Sequence, residues 1–237
     1  MPSGPLWLHE IKHDGYRILA RKDGDRVRLW SRNGRDWSRE FTAIAEAIAA
    51  LRARELVIDG EACAHCPNGL PDFHSLRGEE GGANACLFAF DLLWHDGRDL
   101  RRLSLEERRA RLRVQLRRAR LALQVVDFLE GDGAKVFEHP CRLGLEGIVS
   151  KRRDLGYRSG RCASWLKIKK PAYERPTRRG FLVEGRFGSG APTAPPLDAR
   201  RTGAHCQIGL VVIRVQGERQ SCFALLRQRS RAIFSQL

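Results

Sequence analysis

Between Gly15 and Ser31, apolar and charged residues alternate in two runs, 15–22 and 26–31, separated at Asp23-Gly24. A period of two closed by a two-residue turn predicts a β-hairpin. The period then lengthens. Phe41, Ile44, Ile48 and Leu51 fall on one helical face, and Ser38 is placed to cap a helix reaching about Arg52. Apolar runs near 56–63 and 86–94 predict strands. The second, Leu87-Phe88-Ala89-Phe90-Asp91-Leu92-Leu93, is nearly continuous, in the manner of a strand covered on both faces, and one aspartate interrupts it. Ser104 and Glu107 have capping-box spacing and open a helix expected to reach about Arg120, with Leu105, Leu112 and Leu116 as its buried stripe. Its arginines read as a solvated face, supported by spacings such as Glu107 to Arg111. A third helix is expected at about 132–143, kinked at Pro140, since an interior proline costs on the order of 3 kcal/mol. Glu146–Lys151 and Trp165–Lys169 alternate charged and apolar positions, so as strands they place Lys167 and Lys169 on one face. The sum is an α+β fold of antiparallel sheets flanked by helices.

After Lys170-Pro171 this patterning lapses. Gly185 to Pro196 is rich in Gly, Pro, Ser and Ala and reads as a linker, Ile208 to Val215 as a strand, and the segment from Ser221 as a short basic helix. No lysine occurs after Lys170. The expected organisation is one domain over residues 1–175 and an atypical basic Gly/Pro/Arg-rich tail over 176–237, a truncated or degenerate remnant.

Several short charged motifs sit on these elements. Glu10-Ile11-Lys12-His13-Asp14-Gly15-Tyr16-Arg17 contains a KxDGxR core. A lysine amine that attacks phosphorus must shed its proton and lie in line with the leaving group, while a nearby arginine clamps phosphate in a bidentate way. Gly15 lets the backbone turn closely around a ligand. Leu29-Trp30-Ser31-Arg32-Asn33-Gly34 runs a strand into a turn with Arg32 at the rim. Val57-Ile58-Asp59-Gly60-Glu61 brings an apolar strand to an acidic stop, where Glu61 suits a ribose hydroxyl or a metal. Each alone reads equally as an ordinary half-buried strand. Their ordered combination points to nucleotide transfer through a lysine.

Over roughly residues 6 to 175 the chain resembles the ATP-dependent DNA ligases of the covalent nucleotidyltransferase superfamily. It is most similar to the ligase domains of bacterial end-joining proteins, through Trp7-Leu8-His9-Glu10-Ile11-Lys12, Leu145-Glu146-Gly147-Ile148-Val149-Ser150-Lys151-Arg152 and Ser164-Trp165-Leu166-Lys167-Ile168-Lys169. The resemblance implies that Lys12 is adenylated, that Glu10 lies beside the adenine and that Phe90 packs on its ring. It implies Arg17 and Arg32 near the nucleotide and nick phosphates, Glu61 at the ribose or metal, Glu146 at the metal, and Lys167 and Lys169 on the ATP phosphates. His13 occupies the variable position of its motif and receives no catalytic role. The implied cofactors are ATP and Mg2+, the latter because carboxylate and phosphate oxygens are hard ligands. The implied partners are nicked or broken DNA and end-joining proteins such as Ku or a separate polymerase. Related domains carry a longer leading segment than the eleven residues before Lys12, and a complete OB barrel that is not recognisable here. An RNA-joining or capping nucleotidyltransferase and a non-enzymatic remnant that binds nucleotide or DNA are the competing readings.

Composition agrees with a nucleic-acid partner. Forty-three basic against 28 acidic residues leave a formal charge of +15, though only seven of the basic residues are lysines and the arginine skew partly follows GC-rich coding. The length allows one full domain with a small appendage. No apolar run spans a membrane and no secretory leader is seen, so a monomer working in the cytoplasm is expected. Seven cysteines without framework spacing suit reduced thiols. Cys63-Ala64-His65-Cys66 lacks a second CxxC and reads as a hairpin turn ending at Pro67-Asn68-Gly69 rather than as half of a zinc site.

Overall fold

The alternating runs form strands and the helically spaced runs form helices. The computed structural model describes residues 1–64, 73, 75–77, 82–171 and 173. Its elements are β1 (Trp7–Ile11), β2 (Tyr16–Asp23), β3 (Arg26–Ser31), α1 (Thr42–Ala49), β4 (Glu55–Cys63), β5 (Cys86–His95), β6 (Arg98–Asp99), α2 (Leu105–Leu116), β7 (Leu123–Val125), β8 (Phe128–Leu129), α3 (Gly133–Arg142), β9 (Gly147–Arg152) and β10 (Trp165–Lys169). All described residues belong to one unit, built on Met1–Pro176. A second unit, Thr177–Ser221, lies outside them, as do the expected linker, strand and basic helix of the tail. His65, Cys66 and the Pro67-Asn68-Gly69 turn also lie outside the described residues.

Two sheets result. One has the order β10-β9-β1-β8 and the other β3-β2-β4-β5-β6, with β7 also on β5. Pairing is antiparallel as expected, with one three-residue strand, β7, running parallel to β5. The β2–β3 hairpin turns after Asp23 as predicted, with Gly24 at φ +57°. The larger sheet carries the main core: Ile18, Ala20, Leu29, Ile58, Leu87, Ala89 and Leu92 pack with Phe41, Ile44 and Ile48 from around α1 and with Leu112 and Leu116 of α2.

Three local expectations change. Helix α1 starts at Thr42, not at Ser38, because the Ser38 hydroxyl is engaged in accepting from Leu29 N at 2.9 Å and donating to Asp36 Oδ1 at 2.5 Å. Helix α2 does form the Ser104–Glu107 capping box, but ends at Leu116 and not near Arg120. Its arginines are not all solvated: Arg108 and Arg109 are 0% and 2% exposed, since they share the helical face of Leu105, Leu112 and Leu116 and reach buried acceptors. Asp132 caps α3 through Ala134 N at 2.8 Å, and the helix runs through Pro140 as one element.

Strand β5 departs from simple alternation. Asp59 stands opposite Asp91 while its neighbour Gly60 stands opposite Ala89, so Phe90 is an extra residue with no partner on β4. Such a bulge re-aims its own side chain and shifts the phase beyond it. Leu87, Ala89 and Leu92 consequently all reach the core, a spacing that an unbroken strand does not give.

Candidate active site

Residues directly opposite in an antiparallel pair point to the same face. The registers Leu8↔Lys151, Glu10↔Val149, Trp165↔Lys151, Lys167↔Val149 and Lys169↔Gly147 place Glu10, Lys151, Trp165, Lys167 and Lys169 on one face of the four-stranded sheet. His9 and Ser150 take the other face, where His9 Nδ1 and Ser150 Oγ lie 2.8 Å apart. In the second sheet Arg17 stands opposite Glu61, and Glu61 opposite Phe88. Lys12 follows β1 directly and its N–H donates to Gly147 O at 2.9 Å.

Two glycines set these approaches. A Cβ on Gly15 would strike the carbonyl of Ala62 and the Cys63 thiol, so the close approach that requires this glycine is to β4. Gly147 sits at φ +144°, and a Cβ there would strike Ile168 O on β10. Both are places where only glycine fits without displacement.

The charged end of the site is built around Glu146. Lys12 Nζ donates to Glu146 Oε2, and Lys169 Nζ pairs with Oε1 at 2.7 Å. Burial pulls the Glu146 carboxyl upward, but the hydrogen bonds from Lys12 and Lys169 prevail and hold it below its ordinary range. Glu61, half-buried, is pushed up to about 7 by burial, against the opposing pull of Lys12, Lys167 and Arg17. Lys167 is drawn below the usual lysine range by desolvation and by the cations Lys12, Arg17 and Arg32. These mutual influences put Lys12, Arg17, Glu61 and Lys167 within electrostatic range of one another. Arg32 is exposed, in the turn after β3, at a distance where its charge is felt.

Arg17 is fixed by Asp59, with Nε to Oδ1 at 3.0 Å and Nη2 to Oδ2 at 2.6 Å, and Tyr157 OH donates to the same Oδ2 at 3.0 Å. This bonding keeps Arg17 firmly charged, while burial and the Asp59 charge push the Tyr157 phenol up to about 12.

The other end is aromatic and apolar around a buried carboxylate. Glu10 is 2% exposed and pairs with Arg109 and, at 2.5 Å, with Lys151 Nζ. That ammonium lies 4.1 Å from the Phe90 ring centroid and 4.2 Å from that of Trp165, and the two rings meet edge to face at 5.7 Å. Burial and the neighbouring Arg109 lower the Lys151 pKa against the pull of Glu10. His13 stacks on Phe88 with centroids 4.2 Å apart.

The residues singled out from sequence thus fall into two adjoining groups: Lys12, Arg17, Glu61, Glu146, Lys167 and Lys169, with Arg32 at the edge, and Glu10 with Phe90. Sequence reasoning missed Asp59, Tyr157, Arg109, Lys151 and Trp165 as partners. Three of these lie inside the motifs already quoted. For Arg109 the available signal was its helical phase with Leu105, Leu112 and Leu116. Tyr157 carried none. Chemically, clustered cations suit polyphosphate oxygens, and the Phe90–Trp165 end suits a flat ring with a polar edge.

A family model described as the ATP dependent DNA ligase domain matches residues 3–169. The multifunctional non-homologous end joining protein LigD of Pseudomonas aeruginosa is 41% identical over 172 residues, which cover 71% of this chain and 20% of that protein. LigD of Mycobacterium tuberculosis is 38% identical over 164 residues, covering 69% of this chain and 21% of that protein. The chain therefore spans about a fifth of the length of these relatives. The crystal structure of the M. tuberculosis LigD ligase domain aligns with a TM-score of 0.60 at 37% identity, covering 71% of this chain and 58% of that one. A mycobacterial DNA ligase D complexed with ATP and MES aligns with a TM-score of 0.60 at 36% identity and the same coverage. Sequence match and shared architecture agree, and the chain belongs to the ATP-dependent DNA ligase domain family.

Proposed function

We propose that this chain is the adenylation domain of an ATP-dependent DNA ligase of the end-joining type, in which Lys12 forms a covalent lysyl-AMP. The observation that carries this reading is the pairing of Lys12 and Lys169 with Glu146, with Glu61, Lys167 and Arg17 within electrostatic range of Lys12.

Lys12 attacks the α-phosphorus of ATP as a neutral amine, forming a P–N bond as pyrophosphate leaves. Glu146, to which the ammonium donates, orients the amine, and the proton is released to solvent. Lys167 and Lys169 neutralise phosphate charge, and Arg17, locked by Asp59 and Tyr157, clamps a phosphate with Arg32 at the rim. Phe90 stacks on the adenine, with Glu10 at its edge. The AMP then passes to a DNA 5′-phosphate, where it becomes the leaving group for attack by a 3′-hydroxyl.

Magnesium fits the donor set. Glu61 and Glu146 are hard carboxylates, and no cluster of three or more His, Cys, Asp or Glu side chains among the described residues forms a cage, as suits an ion held by one or two carboxylates and substrate phosphates. When bound it supplies Lewis-acid neutralisation of phosphate charge. Nicked or broken DNA is the substrate in this reading, with a Ku-type end-binding protein or separate polymerase as partner and the cytoplasm as the place of work. No described helix is long and apolar enough to cross a membrane. Residues 1–175 are the catalytic domain and 176–237 an atypical tail.

Incubation with magnesium and α-labelled ATP or GTP, followed by mass mapping, tests the reading. An AMP adduct on Lys12 is expected. A GMP adduct instead favours a capping-type enzyme, and no adduct in folded protein favours a binding remnant.

A further inference from the structure

Two adjacent arginines on α2 are buried, and they are used differently. Arg108 grips Asp91 with two parallel bonds, Nε to Oδ1 at 2.7 Å and Nη2 to Oδ2 at 2.9 Å, and also donates to Leu103 O at 2.5 Å. Such a fork covers both carboxylate oxygens and completes an ion pair that joins α2 to β5. Arg109 instead touches Glu10 through a single nitrogen. Nη1 donates to Glu10 Oε1 and lies 3.5 Å from Phe90 O, while Nη2 donates to Val126 O. Its Nε bonds to no described residue, and its guanidinium lies 4.9 Å from the Phe128 ring centroid. One side chain thus ties together β1, the bulge carbonyl of β5 and the segment leading into β8.

We propose that Arg109 is a positioning residue that fixes Glu10 as an oriented acceptor beside Phe90 and thereby sets the preference for adenine over guanine. The inference rests on the nucleotide reading above. A carboxylate offers about four lone-pair positions. Arg109 uses one on Oε1 and Lys151 approaches Oε2 at 2.5 Å, which leaves acceptor capacity on both oxygens. Adenine presents an amino donor where guanine presents a carbonyl oxygen. A fixed carboxylate accepts from the first and is left unpaired against the second, which is the kind of mismatch a buried polar site rejects. Arg109 supplies the orientation: one nitrogen donates to Glu10 Oε1, and its second bond, to Val126 O, stops the pair from swinging. Lys151 alone, on a flexible stem over Phe90 and Trp165, lacks that second anchor.

The test compares the full chain carrying Arg109→Gln or Arg109→Lys with the wild type, measuring equilibrium affinity for ATP and GTP, thermal melting and labelled AMP adduct. Loss of one oriented charged hydrogen bond is expected to reduce the ATP-over-GTP preference about tenfold in Arg109→Gln, equivalent to about 1.4 kcal/mol, with GTP affinity held within about twofold. Arg109→Lys keeps the charge but loses the second anchor, and is expected to retain part of the preference. Equal weakening of ATP and GTP binding, with the ratio unchanged, overturns the proposal by making Arg109 merely structural. If Arg109→Gln does not fold, an unchanged ratio in folded Arg109→Lys overturns it equally. A wild type without ATP preference that still forms a Lys12 adduct sinks this inference and leaves the covalent reading standing. Discrimination lost in the variants of a chain that forms no adduct does the reverse.

Discussion

The two sheets share strand geometry and bury apolar and charged side chains in very different proportions. The six-stranded sheet is packed with Ile18, Ala20, Ile58, Leu87, Ala89 and Leu92 against α1 and α2. In the four-stranded sheet and the residue leading into it, only Leu8 and Ile148 are fully buried apolar side chains, beside buried His9, Glu10, Glu146, Ser150 and Lys151. Buried charge is a poor route to stability, because desolvation costs as much as pairing returns. The first sheet therefore carries most of the apolar core, and the second buries mainly polar and charged groups.

The comparison is broken most severely by Lys12→Ala. It is expected to abolish the AMP adduct while leaving the melting temperature nearly unchanged; mass mapping of labelled protein checks this, and AMP on any other residue would refute the assignment. Next comes Asp91→Ala, which strands the buried Arg108 guanidinium within the scaffold. Removing one partner of such a pair costs about 3–5 kcal/mol, to be read from urea unfolding, with adduct yield per folded molecule preserved.

A smaller effect concerns pH. The folded-state pKa of Glu61, about 7, lies above its ordinary 4.5, so the folded protein binds this proton more tightly than the unfolded chain. The stability linked to Glu61 is full below about 4.5 and is lost as the pH rises through about 7. Glu61→Gln is expected to flatten the fall in melting temperature across that window, and a wild-type curve that rises there instead would contradict the burial argument. The smallest effect is expected from Ser104→Ala, which removes the cap of α2. About 1 kcal/mol of stability should be lost in denaturant titration, with no change in the adduct.

Most of the scaffold was legible because its signals are local. The Asp23-Gly24 turn, the Ser104–Glu107 box and the apolar runs of β4 and β5 need only neighbouring residues to be interpreted. The charged motifs could be noticed as motifs for the same reason. What escaped was whatever depends on a partner far along the chain. Ser38 looks like a helix cap until Leu29 occupies its hydroxyl, and Arg109 looks solvated until Glu10 is brought under it. Charge runs mislead in this way because burial of an arginine is decided by an acceptor the run does not contain. The parallel pairing of β7 and the role of Gly15 against Ala62 are likewise facts of assembly.

Phe90 adds a last consequence. Without it, Asp59 with Asp91 and Gly60 with Ala89 would be consecutive rungs of the ladder, and Leu92 would still face inward. Phe90 and Leu93 are thus the two residues of β5 that pairing with β4 does not demand, and the first of them is the ring that meets Trp165. A chain shortened by that single residue should fold at least as readily while losing its hold on a nucleotide base, so shape and activity can be separated here by subtraction.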